Sequence, residues 1–241
     1  MTKKTRKTHK MRKVLLTVCC AALLVCVTIG ATVAYLTSTA TVENTFTVGN
    51  VKITLDEALV DANGKKIEGD GAGRTTEANN KQSYHVFPGG SYDKDPTVHV
   101  AVNSEEAYIR MKVTVSDIAS LKDAFPQATY SDYYMVDGTF LLEKLVSGWQ
   151  STVWPCQGCT LNSDGSATYE FRYHTTVAGN KGESATVKDL EALFTDVNIP
   201  GTVDNNALAN LNNIKIIVTA EAIQADGFQT ADLAWAEFPT T

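Results

Sequence analysis

The chain predicts an all-β domain, an antiparallel β-sandwich with short helices confined to connections, placed behind an N-terminal export signal. Two observations carry the fold. The best-defined segments alternate apolar and polar residues with period two, as strands with one buried face do, and Gly-, Pro- and Asn-rich turn signals recur between them. The signal rests on a third observation: Lys3, Lys4, Arg6, Lys7, Lys10, Arg12 and Lys13 precede an uncharged stretch from Val14 to Ala34.

In chain order, Val51, Ile53 and Leu55 alternate with Asn50, Lys52 and Thr54, which predicts a strand within 44–55. Residues 56–80 are rich in Gly, Asn and charge, with a turn signal at Asp61-Ala-Asn-Gly64, and read as a surface excursion. Pro88-Gly-Gly90 punctuates the next turn, and strands follow at 97–102 and 108–116. In the second of these Ile109, Met111, Val113 and Val115 alternate with Arg110, Lys112 and Thr114. A short helix is expected over 118–125, stopped by Pro126. Further strands are expected at 147–153 and 167–176, and a helix over 187–194 from the spacing of Leu190, Leu193 and Phe194. A loop through 199–213 then leads to a last strand, 214–222, and an amphipathic tail, 230–238. Strands in this number, with helices only in connections, favour an antiparallel sandwich over a parallel α/β sheet.

Small residues Thr32 and Ala34 stand three and one positions before Tyr35, so the signal is expected to span 1–34, with cleavage between Ala34 and Tyr35. The alternative is an uncleaved anchor, because the apolar stretch approaches the roughly 20 residues of a membrane-spanning helix. The membrane is then a partner only through this segment. Cleavage removes seven of 21 basic residues and no acid, leaving 14 basic residues against 27 acidic and a net charge of −13 over residues 35–241. Such a surface repels nucleic acid and anionic lipid, so no nucleic-acid partner is expected.

Of five cysteines, Cys19, Cys20 and Cys26 fall in the signal, leaving Cys156 and Cys159 in Pro155-Cys-Gln-Gly-Cys-Thr160. In an oxidising exterior this pair is expected to join as a tight loop disulfide. The alternative, a thioredoxin-like redox motif, belongs at a strand-to-helix junction of a βαβ unit, which the turn Asn162-Ser-Asp-Gly165 does not provide. Three histidines remain after the signal, His85, His99 and His174, and none is spaced His-Glu-x-x-His. No second cysteine pair completes a zinc site, and neither a Gly-x-Ser-x-Gly elbow nor a phosphate-cradling loop is present. Glu105-Glu106 reads as solvated, and Tyr130, Tyr133 and Tyr134 beside Asp132 as loop packing, with a carbohydrate platform as the alternative. The residues therefore specify no catalytic, cofactor or metal site, and no enzyme is expected.

The run from Ala31 to Leu55, Ala-Thr-Val-Ala-Tyr-Leu-Thr-Ser-Thr-Ala-Thr-Val-Glu-Asn-Thr-Phe-Thr-Val-Gly-Asn-Val-Lys-Ile-Thr-Leu, resembles the start of the TasA and camelysin family, with Leu36 where an aromatic is usual. Tyr92 to Val100 and Val218 to Phe228 also resemble members of that group. The resemblance implies export through a SipW-type signal peptidase and a jelly-roll domain. It further implies a secreted cell-surface or biofilm-matrix subunit that self-associates, or joins related matrix subunits, into fibres by donating its N-terminal strand. Residues 35–47 are the matching donor: β-branched, but too polar over Thr37–Thr41 to anchor a core, and so expected to stand loose in the monomer. The alternative is a secreted hydrolase, as the camelysin branch implies, or a glycan-binding module rimmed by Tyr130, Tyr133, Tyr134 and the Cys156–Cys159 loop.

Overall fold

A computed structural model describes residues 37–39, 50–76, 79–124, 144–211 and 214–239, all within the compact unit Leu36–Thr241. The expected signal 1–34, the cleavage pair Ala34 and Tyr35, the donor segment other than 37–39, and the Tyr130, Asp132, Tyr133 and Tyr134 cluster lie outside the described residues.

The strands are β1 (Thr37–Thr39), β2 (Ile53–Asp56), β3 (Ser91–Asp93), β4 (Thr97–Val100), β5 (Ala107–Val115), β6 (Val146–Ser147), β7 (Cys156–Leu161), β8 (Ala167–Arg172), β9 (Lys188–Asp189), β10 (Asp196–Asn198) and β11 (Ile216–Gln224). Among the described residues short helices connect or cap them: α1 (Ile118–Ala124), α2 (Asn205–Leu211) and α3 (Ala231–Ala236). The strands form a five-stranded sheet, β1-β11-β5-β8-β7, and two three-stranded sheets, β3-β10-β6 and β2-β4-β9. Every pairing is antiparallel, so the all-β architecture read from the period-two segments is correct.

Strand β5 shows why. Its alternation puts Ala107, Ile109, Met111, Val113 and Val115 on the inner face, each at most 1% exposed. Tyr169 and Phe171 of β8 and Ala220 and Ala222 of β11 extend that wall, and Val98 and Val100 of β4, Ile53 of β2, and Tyr92 of β3 close over it as one core. On the outer face Arg110 is buried beneath α3. Its guanidinium lies 4.2 Å from the Trp235 ring centroid and 5.0 Å from that of Phe238, a cation–π stack. Thr230 caps α3 by accepting from the Leu233 N–H.

The Asn162-to-Gly165 turn closes the β7–β8 hairpin: the Asn162 N–H donates to Ser166 O (2.8 Å) and the Gly165 N–H to Asn162 O (3.1 Å). At Pro88-Gly-Gly90 the left-handed Gly89 (φ +76°) lets the Gly90 N–H reach Phe87 O at 3.0 Å.

Three expectations need correction, and a fourth gains detail. The strand expected over 147–153 is limited to β6, because Gly148 (φ +80°) turns the chain away and Val153 and Trp154 both donate to Gln150 O (3.0 and 2.9 Å). The helix expected over 187–194 does not form. Leu190 and Leu193 donate instead to Val98 O (2.9 Å) and Pro96 O (3.0 Å), so the segment lies along β4 and buries the same apolar residues without helical bonds. The loop expected over 199–213 contains α2, whose Asp204 Oδ1 accepts from the Asn206 and Ala207 N–H groups at 2.9 Å each. The excursion over 56–80 folds back on itself through the bridges Ala58↔Arg74 and Val60↔Lys66.

Because Phe194 is 1% exposed and Ile217 is 53% exposed, truncating them should separate core from surface. Phe194→Ala should lose about 3–5 kcal/mol in urea unfolding, and Ile217→Ala about 0.5 kcal/mol or less.

Candidate functional site

Two strand edges meet a cavity. On its outer side β11 is paired by β1 through Thr37↔Ile223, Ser38↔Ala222 and Thr39↔Glu221. Among the described residues no strand pairs that side over 216–220, and β2 has a partner, β4, on one side only. Beside these edges lies a cavity of about 840 Å³, walled by Leu55, Tyr92, Leu145, Ile199, Ile216 and Val218 among others. At its polar end Lys94 Nζ donates to both carboxylate oxygens of Glu57 (2.8 and 2.7 Å). These side chains are only 9% and 15% exposed, so removing either would strand a charge away from water.

The expectation that the whole donor segment stands loose is therefore wrong for Thr37–Thr39. Main-chain pairing on β11 needs no apolar side chain, so the polarity of these residues does not prevent it.

A second cluster ties β2, β4 and β9 to the excursion. His99 Nε2 faces Asp56 Oδ1 at 2.8 Å and Nδ1 faces Asp189 Oδ1 at 2.7 Å. A neutral imidazole has one N–H, so bonding both carboxylates at once requires the imidazolium. Burial pulls the His99 pKa down, but the hydrogen bonds to Asp189 and Asp56 outweigh it and leave it raised. Arg74 bonds Asp56 through Nε and Asp95 through a terminal nitrogen at 3.0 Å, and the Ala58 N–H donates to Asp95 Oδ1 at 2.6 Å. The sequence reading missed this assembly because its members are separated by up to 133 positions, from Asp56 to Asp189. The one available signal was His99 inside a strand.

Cys156 and Cys159, the pair expected to join as a disulfide, are both partly buried against the core. They lie on an edge strand, where the expected loop would be, and β7 has a register shift between Cys156 and Gly158. Burial pushes the Cys159 thiol up, against a hydrogen bond with Tyr169. A thiol held protonated is a poor nucleophile at neutral pH.

Elsewhere, Glu105 and Glu106 are exposed as expected; Glu106 accepts from the Thr176 hydroxyl and Glu105 lies 3.9 Å from Lys181. An aromatic group that the sequence reading did not single out gathers Trp154 and Tyr173 (centroids 4.9 Å apart) with His174. The Tyr173 hydroxyl donates to Glu191 at 2.6 Å, and burial together with that carboxylate pushes the phenol up to about 12.

The sequence model of the camelysin metallo-endopeptidase family matches residues 9–87, which bears out the TasA and camelysin resemblance read from residues 31–55. No curated protein and no solved structure matches the chain. That family description implies a metal, and the donors described here do not fit one. Both ring nitrogens of His99 are taken by carboxylates, His174 Nδ1 faces Val153 O at 3.3 Å, and His85 is exposed. Among the described residues no group of three or more His, Cys, Asp or Glu side chains is placed to hold a metal ion.

The His99 geometry sets a pH dependence. With the folded-state pKa raised above the unfolded value, the stabilisation is fully present below about pH 6.5 and lost as pH rises through the folded pKa. Melting temperatures of wild type and His99→Gln should therefore converge toward high pH and separate below it. A constant difference across that range would mean that His99 stays neutral.

Proposed function

Because residues 9–87 match the camelysin family, we propose that this chain is an exported structural subunit of the cell surface or extracellular matrix, and that its partner is another copy of itself or a related subunit. The observation that supports this reading is the outer side of β11, where the chain's own Thr37–Thr39 already pair and where 216–220 offer further main-chain donors and acceptors beside an apolar cavity. An edge that accepts its own N-terminal segment accepts the same segment from a neighbour in the same register, and exchange of that segment links copies head to tail. A head-to-tail contact that does not close on itself grows as a filament. The chain is read as non-enzymatic: its clustered ionisable groups are consumed in pairing strands with one another.

Export supplies the donor. The signal 1–34 is removed between Ala34 and Tyr35 by a signal peptidase, leaving the strand-forming segment at the new terminus. A hydrolase acting on a wall polymer is the competing reading, favoured only by the wording of the family description.

Mass spectrometry of exported protein should find Tyr35 first, and Ala34→Leu should block the cut because the peptidase pocket for that side chain is small. Electron microscopy should show fibres of the mature chain and none when residues 35–47 are deleted. Pro at both Thr39 and Thr41 removes two main-chain donors from the ladder. That variant should remain folded, with a melting transition close to wild type, and form no fibres. Equal assembly by the double variant would eliminate donation through this segment, and chelator-sensitive casein cleavage that follows the pure protein would favour the hydrolase.

A further inference from the structure

We infer that Cys156 and Cys159 are a reversible disulfide site built into the edge bulge of β7, and that closing the bridge fixes this edge of the five-stranded sheet. In a regular strand, residues three apart point to opposite faces. Here Cys156 stands opposite Phe171 and Cys159 opposite Tyr169, with the register shifting between Cys156 and Gly158. Phe171 and Tyr169 are inner-face residues at 2% and 0% exposure, so the extra residue brings both thiols to one face. Gly158, with φ +147°, supplies the backbone conformation that the bulge requires.

The spacing suits a bridge. Two rungs of a strand separate Cα atoms by about 6.7 Å, bulged strands bend, and bridged cysteines span about 4.4–6.8 Å. The site is also reachable, since β7 is the last strand of its sheet, Gln157 between the two cysteines is exposed, and both thiols are only partly buried against the core. The outer side of β7 has no strand partner among the described residues, and Leu161 at its end is 51% exposed. Such an edge is a template for unwanted pairing, and a bulge that cannot flatten protects it.

The co-reactant is a disulfide, either in an exported dithiol oxidoreductase or in a small disulfide such as oxidised glutathione. The Cys156 thiolate attacks one of its sulfurs, forming a mixed disulfide and releasing the other sulfur as a thiol. Cys159 then gives up its proton and displaces the second sulfur. The chain loses two protons and two electrons, and the reagent disulfide takes them up and becomes two thiols. The inference is independent of fibre assembly.

The test equilibrates the mature protein in glutathione buffers from fully reduced to fully oxidised. Thiols are trapped by alkylation in denaturant for mass spectrometry, and amide exchange is followed over 156–161. The expected product is a monomer lighter by two hydrogens with both cysteines in one linked peptide, converted back by dithiothreitol. Exchange over 156–161 should slow by about tenfold on closure, as the chain-entropy effect for so short a loop implies, and a double Cys156→Ser, Cys159→Ser variant should show no redox dependence. Two alkylatable thiols in the most oxidising buffer would overturn the inference, as would a disulfide-linked dimer. So would a bridge that leaves exchange unchanged, or the same redox dependence in the double serine variant.

Discussion

Strand β5 is hydrogen-bonded along both edges, to β11 over nine positions and to β8 over six, and its inner face is closed to water. A strand in that position cannot slip. Moving either neighbour by one residue would carry its apolar set to the outer face and send charged side chains into the core. The ion pairs of the outer face depend on the same register. Arg110 reaches Glu221 at 2.6 Å and Glu170 at 3.1 Å because both are held opposite or beside it, and α3 then roofs the cluster with Trp235 and Phe238. The charges are shielded because the ladder comes first.

The two ends of this sheet meet the edge problem in different ways. At the β11 end the chain's own Thr37–Thr39 pair with the edge. At the β7 end a bulge beside Cys156 and Cys159 interrupts the pairing pattern. The same backbone chemistry thus yields one edge suited to a strand of matching register and one that discourages flat pairing.

The His99 assembly shows how the ionisable groups are used. Both ring nitrogens of His99 are spent on Asp56 and Asp189, and Arg74 completes the charge balance with Asp56 and Asp95. The cluster staples β2, β4, β9 and the excursion together. Fold and family likeness do not assign a reaction by themselves; the donor atoms have to converge, and these converge on each other.

Local pattern was enough for the long strands. Period-two alternation located β5 and the greater part of β11, Asn162-Ser-Asp-Gly165 located a turn that proved to close the β7–β8 hairpin, and the amphipathic tail at 230–238 located α3. Each of these segments has enough consecutive residues for side-chain period to choose the state. Shorter pieces were decided elsewhere. The spacing of Leu190, Leu193 and Phe194 fits a helix equally well, but the open edge of β4 offers Val98 O and Pro96 O to the same N–H groups and wins. Cys156 to Leu161 has little β pattern and becomes a strand because β8 lies beside it. By itself, then, the sequence determined the sandwich class, the central strands and the family likeness of the N-terminal region. The tertiary structure alone decided the Asp56–Arg74–His99–Asp189 assembly, the shared face of the two cysteines and the pairing of Thr37–Thr39 on β11. Those depend on hydrogen bonds between residues far apart in the chain, whose partners exist only once the sheets have closed.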